Sequence, residues 1–222
     1  MKVAVIPARS GSVELAHKNL SVVGGKSLLN RAIDFAVETE VFDKIIVTTD
    51  YCEHLFYREG IEVRKRPEAL ATSHTTMVEV LEDIIETFGL AAEDKVVLLQ
   101  PTSPFRVFED LVKVLELMEE YDSVITVKEL EYNSALFVTP TSETGLESKK
   151  VEAYQTNRQE QPKQYYPNGN LFGVTVGTFC QTQSFYGGNL GYVLQKGKCN
   201  IDINHKDDLL FAQFLGQQDE EE

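Results

Sequence analysis

Short, nearly continuous apolar runs recur along the first part of this chain, each closed by a polar loop. Lys2–Ile6, the run from Asp43 to Asp50, Lys95–Leu99 and Ser123–Val127 all have this character. A run without polar alternation is the pattern of a strand covered on both faces. Between these runs the apolar spacing becomes helical. Leu28, Leu29, Ala32, Ile33, Ala36 and Val37 predict a first helix. Met77–Phe88 predicts another, with Val78, Leu81, Ile84 and Ile85 on one face, and Glu109–Glu120 a third, with Leu111, Val112, Leu115 and Met118. Glu53–Glu59 reads as a further helix and Ile61–Arg64 as a short strand. Strands alternating with helices predict an α/β fold of three layers, a mostly parallel sheet between helices.

After Val127 the rhythm breaks. Residues 128–168 are polar and irregular, charged at Glu147–Glu152 and rich in glutamine at Gln155–Gln164. Such a segment suits an arm or a lobe packed on a second subunit. Asn170–Val176 and Gly191–Leu194 predict strands that return to the sheet, and Asp207–Leu215 a last helix before an acidic tail. The length of 222 residues fits one large domain over 1–222, with 128–168 as its appendage.

Charge narrows the partners. Twenty-one Lys and Arg stand against 35 Asp and Glu, a formal charge of −14, and no basic stripe offsets it. An anionic surface repels nucleic acid, so no nucleic-acid partner is expected. No apolar stretch is long enough to span a membrane, and the opening residues lack the features of a secretory signal. Cys52, Cys180 and Cys199 are odd in number and widely spaced, which reads as free thiols in a reducing, cytoplasmic compartment.

In a parallel sheet, ligands bind beyond the carboxyl ends of the strands. Three polar segments fall there: Ala8–Asn19, Thr48–Asp50 and Gln100–Arg106. The first offers small residues, the hydroxyls of Ser10 and Ser12, and the cations Arg9 and Lys18, which suits a polyphosphate. It is neither a GxxxxGK[ST] loop nor a GxGxxG loop, and a solvated loop with ordinary surface charge is the competing reading. In Asn200–Asn204 an apolar residue separates polar ones, so Asp202 and Asn204 share a face of an extended strand. Asp202 there either ligates Mg²⁺, with Asn204 as a neutral oxygen donor, or sits at a turn. Asp207 and Asp208 are candidates to cap the following helix. Arg158, Lys163, Tyr165, Tyr166 and Asn168 form a polar-aromatic group suited to an acidic polyhydroxy ligand or to an interface. The four histidines lack metal-ligand spacing.

Taken together, these segments resemble the acylneuraminate cytidylyltransferase family, also called CMP-sialic acid synthetases. The family's opening, IPARxGSKGxxxKNL, is matched by Ile6–Ser12 and Lys18–Leu20, and its IVSTD segment by Ile46–Asp50. Arg66–Glu68 matches its RPxEL turn, and Leu98–Arg106 its LLQPTSPLR almost whole. Arg158–Gln159, Pro162, Tyr165 and Pro167–Gly169 match RQxxPxxYxPNG, and Ile201–Ile203 falls on SIDID. The blocks keep family order over nearly the whole chain.

The resemblance implies a homodimeric enzyme with a nucleotidyltransferase fold of Rossmann type. It would transfer CMP from CTP to a nine-carbon keto acid sugar of sialic, legionaminic or pseudaminic type, with Mg²⁺ as cofactor. By position, Arg9, Ser12 and Lys18 would hold the CTP phosphates, and Asn19 and Arg66 would help recognise the nucleotide. Gln100, Asn168 and Phe172 would line the sugar site, Phe172 standing where many relatives have Tyr, and Arg158 would reach the partner subunit's sugar site. Asp202, beside Asn204, would bind the metal. Arg9, Lys18, Gln100 and Asp202 are the expected catalytic set. Three departures touch the same region. Val13-Glu14 replaces Lys-Gly, Asn204 replaces a second Asp, and Ser73-His74 stands where the family has Asp. An alternative is therefore a catalytically impaired relative that binds a nucleotide or sugar or serves as an oligomer subunit. A third reading, transfer to an eight-carbon acid, is opposed by the Arg158–Gly169 segment.

Overall fold

Val3 and Val5 pack into one apolar cluster, and Ala4, Ile6 and Ala8 into another. That alternation along a single strand is what a sheet covered on both faces requires. The computed structural model describes residues 1–11, 14–56, 58–131, 134, 137–148, 160 and 162–218. In chain order its elements are β1 (Lys2–Ala8), β2 (Val22–Val23), β3 (Lys26–Ser27), α1 (Leu28–Glu38), β4 (Lys44–Thr49), β5 (Glu62–Lys65), α2 (Met77–Phe88) and β6 (Lys95–Leu98). There follow α3 (Phe108–Leu117), β7 (Ser123–Glu129), β8 (Val138–Pro140), β9 (Leu146–Ser148), β10 (Tyr165–Thr175), α4 (Val176–Thr182), β11 (Leu190–Leu194) and α5 (Lys206–Gln218).

Seven strands make the central sheet in the order β11-β7-β10-β6-β1-β4-β5. All neighbouring pairs are parallel except those of β10, which runs antiparallel between β6 and β7. Leu29, Ile33, Leu111 and Leu115 bring α1 and α3 onto one face, while Leu81, Ile84, Val176 and Phe179 bring α2 and α4 onto the other. The α/β, mostly parallel, three-layer expectation holds.

Local chemistry sets the helix ends. Ser27 Oγ accepts the Asn30 amide at 3.1 Å to open α1. Thr76 and Glu79 form a reciprocal capping box on α2, and Gly89, in the left-handed region at φ 60°, ends it.

Three expectations are corrected. Glu53–Glu59 is not a helix. A single 3-10 turn covers Glu53–Leu55, and Phe56 leaves helical geometry at φ −150° with its ring buried. Leu55 is exposed and Phe56 is the one buried side chain among the segment's described residues, so no apolar pair holds a longer helix down. Residues 128–168 are not wholly irregular, because β7 runs on to Glu129 and β10 starts at Tyr165, with Tyr166 opposite Lys128. Finally, Ile201–Asn204 pairs with no strand. It is an extended segment held by the Ile203 amide donating to the Thr102 carbonyl at 2.8 Å and by Ile203 buried among Val23, Leu28, Phe105 and Ala212. The expected alternation survives, since burying Ile203 turns Asp202 and Asn204 the other way.

Gly216 lets α5 close on the turn between β2 and β3. A Cβ there would lie 2.8 Å from the Gly24 backbone nitrogen and 2.9 Å from Val23 Cγ1. Intrinsic helix preference favours Ala over Gly by about 1 kcal/mol, whereas overpacking costs about 1–3 kcal/mol. Gly216→Ala is expected to lose stability, with a lower urea midpoint. A raised midpoint would mean that the contact yields easily.

Candidate active site

The loop after β1 carries Arg9 out beyond the sheet edge. Its shape is set by neighbours rather than by the cations themselves. The Asn19 side chain, itself buried, donates to the Arg9 carbonyl at 2.9 Å. Asp50, following β4, accepts the Ser10 amide at 2.7 Å and the Ser10 hydroxyl at 2.5 Å. Lys18 opens a 3-10 turn after left-handed His17, and its Nζ donates to the Ile203 carbonyl at 2.9 Å. Burial pulls the Lys18 ammonium below its ordinary pKa, while Asp202 and Glu14 oppose that shift. Arg66, after β5, is buried, with Nε to Thr48 Oγ1 at 3.3 Å and Nη2 to the Thr48 carbonyl at 3.0 Å. Desolvation is the largest cause lowering its pKa as well.

Arg9, Lys18, Asn19, Arg66 and Gln100 line one cavity of about 500 Å³, with Glu14 at its wall. Four positions expected to contact the nucleotide, Arg9, Lys18, Asn19 and Arg66, are therefore brought together, whereas Gln100, expected in the sugar site with Asn168 and Phe172, lines this cavity instead of theirs. Ser12, Val13 and Arg158 lie outside the described residues. A second cavity, of about 650 Å³, is lined by Asn168, Phe172 and Asp202 together with Lys128, Tyr186 and Phe211. Asn204 lines both cavities. Gly169 sits at their junction with φ +82°; a Cβ there would meet Asp202 Cγ and Gln100 Oε1 at 3.6 Å. Only a glycine accommodates that backbone easily.

Asn168 lines the second cavity, but its amide is committed inward. Oδ1 accepts from Thr126 Oγ1 at 2.7 Å, and Nδ2 donates to Gln195 Oε1 at 2.7 Å and Asn200 Oδ1 at 2.9 Å. Asn170 Nδ2 likewise donates to the Phe105 and Cys199 carbonyls. Asn170, Gln195, Asn200 and Thr126 were not legible as site residues, because isolated polar residues in a strand or loop carry no local pattern.

Asp202 Oδ1 is buried without a hydrogen-bond partner, whereas Oδ2 accepts Asn204 Nδ2 at 3.0 Å. Asp208 accepts the backbone amides of Asn204 and His205, at 2.9 and 2.8 Å, and so caps α5; these bonds lower its pKa against desolvation. Glu14 faces His205 at 2.8 Å across the mouth of the first cavity. Among the described residues no group of three or more His, Cys, Asp or Glu could hold a metal. An orphaned carboxylate oxygen with a neighbouring amide still fits Mg²⁺, which commonly takes one or two carboxylates and completes its shell with water and substrate phosphate.

A family model described as cytidylyltransferase matches residues 3–197. The chain is 30% identical to the N-acylneuraminate cytidylyltransferase of Escherichia coli O18:K1:H7, over 97% of this chain and 52% of that protein. It spans about half the length of the first such relatives. It is also 30% identical to the CMP-N,N'-diacetyllegionaminic acid synthase of Legionella pneumophila, over 82% of each chain. In fold it is similar to a solved CMP:2-keto-3-deoxy-manno-octonic acid synthetase complexed with CTP, with a TM-score of 0.69 at 16% identity, covering 98% of this chain and 99% of that one.

The inward bonds of Asn168 predict that Asn168→Ala acts on stability. Thr126, Gln195, Asn200 and the Asn170 backbone amide would each lose a bond, at about 1–3 kcal/mol for each group left buried and unsatisfied, partly relieved by rearrangement and by the bonds Thr126 keeps to Leu171. A loss of about 2–4 kcal/mol in urea unfolding is expected. A loss below about 0.5 kcal/mol would show that the amide faces ligand instead.

Proposed function

The chain belongs to the cytidylyltransferase family, and on that premise we propose that it transfers CMP from CTP to the anomeric hydroxyl of a nine-carbon keto acid sugar, releasing pyrophosphate. The observation that carries this reading is the junction at Asn204. There a cavity with fixed cations meets a second cavity holding an orphaned carboxylate oxygen, that of Asp202.

In this reading Arg9 and Lys18 hold the triphosphate and spread the charge that builds on departing pyrophosphate. Asn19 and Arg66 orient the nucleoside, Arg66 being fixed by Thr48. The sugar enters the second cavity against Phe172, with Gln100 at the junction. Its anomeric oxygen forms a bond to the α-phosphorus and gives up its proton to solvent as the bond from that phosphorus to the bridging β-phosphate oxygen breaks and pyrophosphate leaves. Asp202, with Asn204, is the residue to hold Mg²⁺, which when bound supplies polarisation of the phosphate. Lys18 ties the Asp202 segment to the phosphate loop through the Ile203 carbonyl, so nucleotide and metal positions move together.

We read residues 1–222 as one cytidylyltransferase domain that acts in the cytoplasm, supported by three free thiols. Among the described residues no helix is long and apolar enough to cross a membrane. A homodimer is supported by exposed Phe137, Val138 and Leu146 on the β8–β9 hairpin. Sedimentation over a dilution series should give twice the chain mass; a monomer throughout would refute the shared site. A second reading, binding without turnover, is favoured by one observation: Glu14 brings a carboxylate to the wall of the phosphate cavity.

The experiment is pyrophosphate release from CTP with a panel of nine-carbon keto acids and the eight-carbon acid, with Mg²⁺ and with a chelator. Turnover with a nine-carbon acid, lost on chelation and in Asp202→Asn, is expected. Binding of CTP without release would favour the second reading, and turnover with the eight-carbon acid alone would overturn the first. In the same assay Glu14→Gly removes an anion beside a polyanionic substrate and frees the loop from His205. It should raise kcat/KM for CTP about threefold to tenfold, a gain of roughly 0.7–1.4 kcal/mol after solvent screening. No gain would show that Glu14 turns away from the phosphates.

A further inference from the structure

A third cavity, of about 280 Å³, lies away from the proposed chemistry, beside α1 and the loop after β6. Four cations line it: Lys26, Arg31, Arg106 and Lys198. Its two carboxylates are partly engaged, one of them by Lys26 of the cavity itself. Asp34 is paired at 2.5 Å with both Lys26 and Arg58, and Glu38 lies 3.7 Å from Arg58. On a chain of formal charge −14, a cavity lined by four cations and two carboxylates stands against the overall field.

The cations are placed by rings and carbonyls. Phe105 has Arg31 at 5.3 Å and Lys198 at 5.5 Å from its ring centroid, and Arg106 lies 5.9 Å from that of Phe35. Arg31 Nε donates to the Pro104 carbonyl and Nη1 to the Val23 carbonyl, both at 3.1 Å. Arg106 Nη2 donates to the Gln100 carbonyl at 2.5 Å. Its Nε is buried and has no hydrogen-bond partner. Among the described residues no carboxylate is paired with this guanidinium. Burial, and then the charge of Arg31, pull its pKa down to about 9. A buried guanidinium without a counter-ion is costly, and a buried donor without an acceptor adds to that cost. An anion would satisfy both, and a planar fork of N–H groups suits an oxyanion.

We propose that this cavity is an oxyanion site, distinct from the nucleotide cavity, built by Arg106, Arg31 and Lys198 around Phe105 for a phosphate or carboxylate group. Two sources supply that chemistry. One is a free anion such as inorganic phosphate. The other is the chain's own Asp219–Glu222, four acidic residues that follow the end of α5 in sequence. Gly216, near that end, packs against Gly24, which lines the cavity. The site also reaches Gln100 through Arg106, so its occupancy sets the back of the residue proposed at the junction.

The test is calorimetric titration of the full chain with inorganic phosphate at low ionic strength. The parent is compared with Lys198→Ala, with Arg106→Lys, and with a chain in which Asp219 becomes Asn and Glu220, Glu221 and Glu222 become Gln. Lys198 is exposed, so its variant is expected to fold, and unchanged CTP binding by that variant checks the nucleotide cavity. Saturable binding in the parent, weakened at least about tenfold by Lys198→Ala, supports a free anion. Tenfold corresponds to about 1.4 kcal/mol, within reach of one charge-assisted contact. Binding that appears only after the tail is neutralised, and that again needs Lys198, supports the tail carboxylates as occupant. The proposal is overturned if neither chain binds phosphate. It is equally overturned if binding is indifferent to both Lys198→Ala and Arg106→Lys.

Discussion

The site depends on two buried asparagines in β10. That strand runs against its neighbours, between β6 and β7, and its Asn168 and Asn170 side chains reach four other parts of the chain. Through them β10 is tied to Thr126 on β7, to Gln195 after β11, to Asn200 and Cys199 in the turn before Asp202, and to Phe105 after β6. Asn168 is bonded at both ends of its amide and Asn170 through Nδ2 alone; such bonds are directional constraints, since a buried partner left unpaired would carry a desolvation penalty. They hold Gly169 where its backbone can pass beneath Asp202 and Gln100. Without that fixed passage the two larger cavities would have no reason to meet.

Electrostatics complement this frame. The chain is strongly acidic, yet cations converge at two enclosed places. Arg9, Lys18 and Arg66 collect in one cavity, and Arg31, Arg106 and Lys198 around another. Burial lowers the pKa of Lys18, Arg66 and Arg106 alike. Burial disfavours the charged form of each, so an anionic ligand that restores charge balance there gains most. Glu14 works against this trend in the first cavity by adding an anion.

Much of the architecture was legible because the strands β1, β4, β6 and β7 are covered on both faces and read as unbroken apolar runs. Motif order grouped Arg9, Lys18, Asn19 and Arg66, which do share a cavity, but it set Gln100 with Asn168 and Phe172, and Gln100 lines the first cavity instead. What periodicity could not reveal was direction. Nothing in Asn170–Val176 distinguishes an antiparallel strand from a parallel one, since only the neighbours' hydrogen bonds decide it. At Glu53–Glu59 the expected helix is only a 3-10 turn over Glu53–Leu55, because Phe56 turns inward while Leu55 stays exposed. At Ile201–Asn204 the alternation was read correctly, but as a strand, because burial of Ile203 imposes the same period without a partner strand. The amide network escaped notice since its members are far apart in sequence.

The claim that two cavities meet to perform one transfer is tested most directly by the structure of a ternary complex, with a CTP analogue that cannot release pyrophosphate and a nine-carbon keto acid. The account predicts the β- and γ-phosphates at Arg9 and Lys18, the α-phosphorus at the Asn204 junction beside Asp202, and the anomeric oxygen in line with it from the Phe172 side. A nucleotide whose α-phosphorus lies away from that junction, or a sugar bound outside the second cavity, would contradict it.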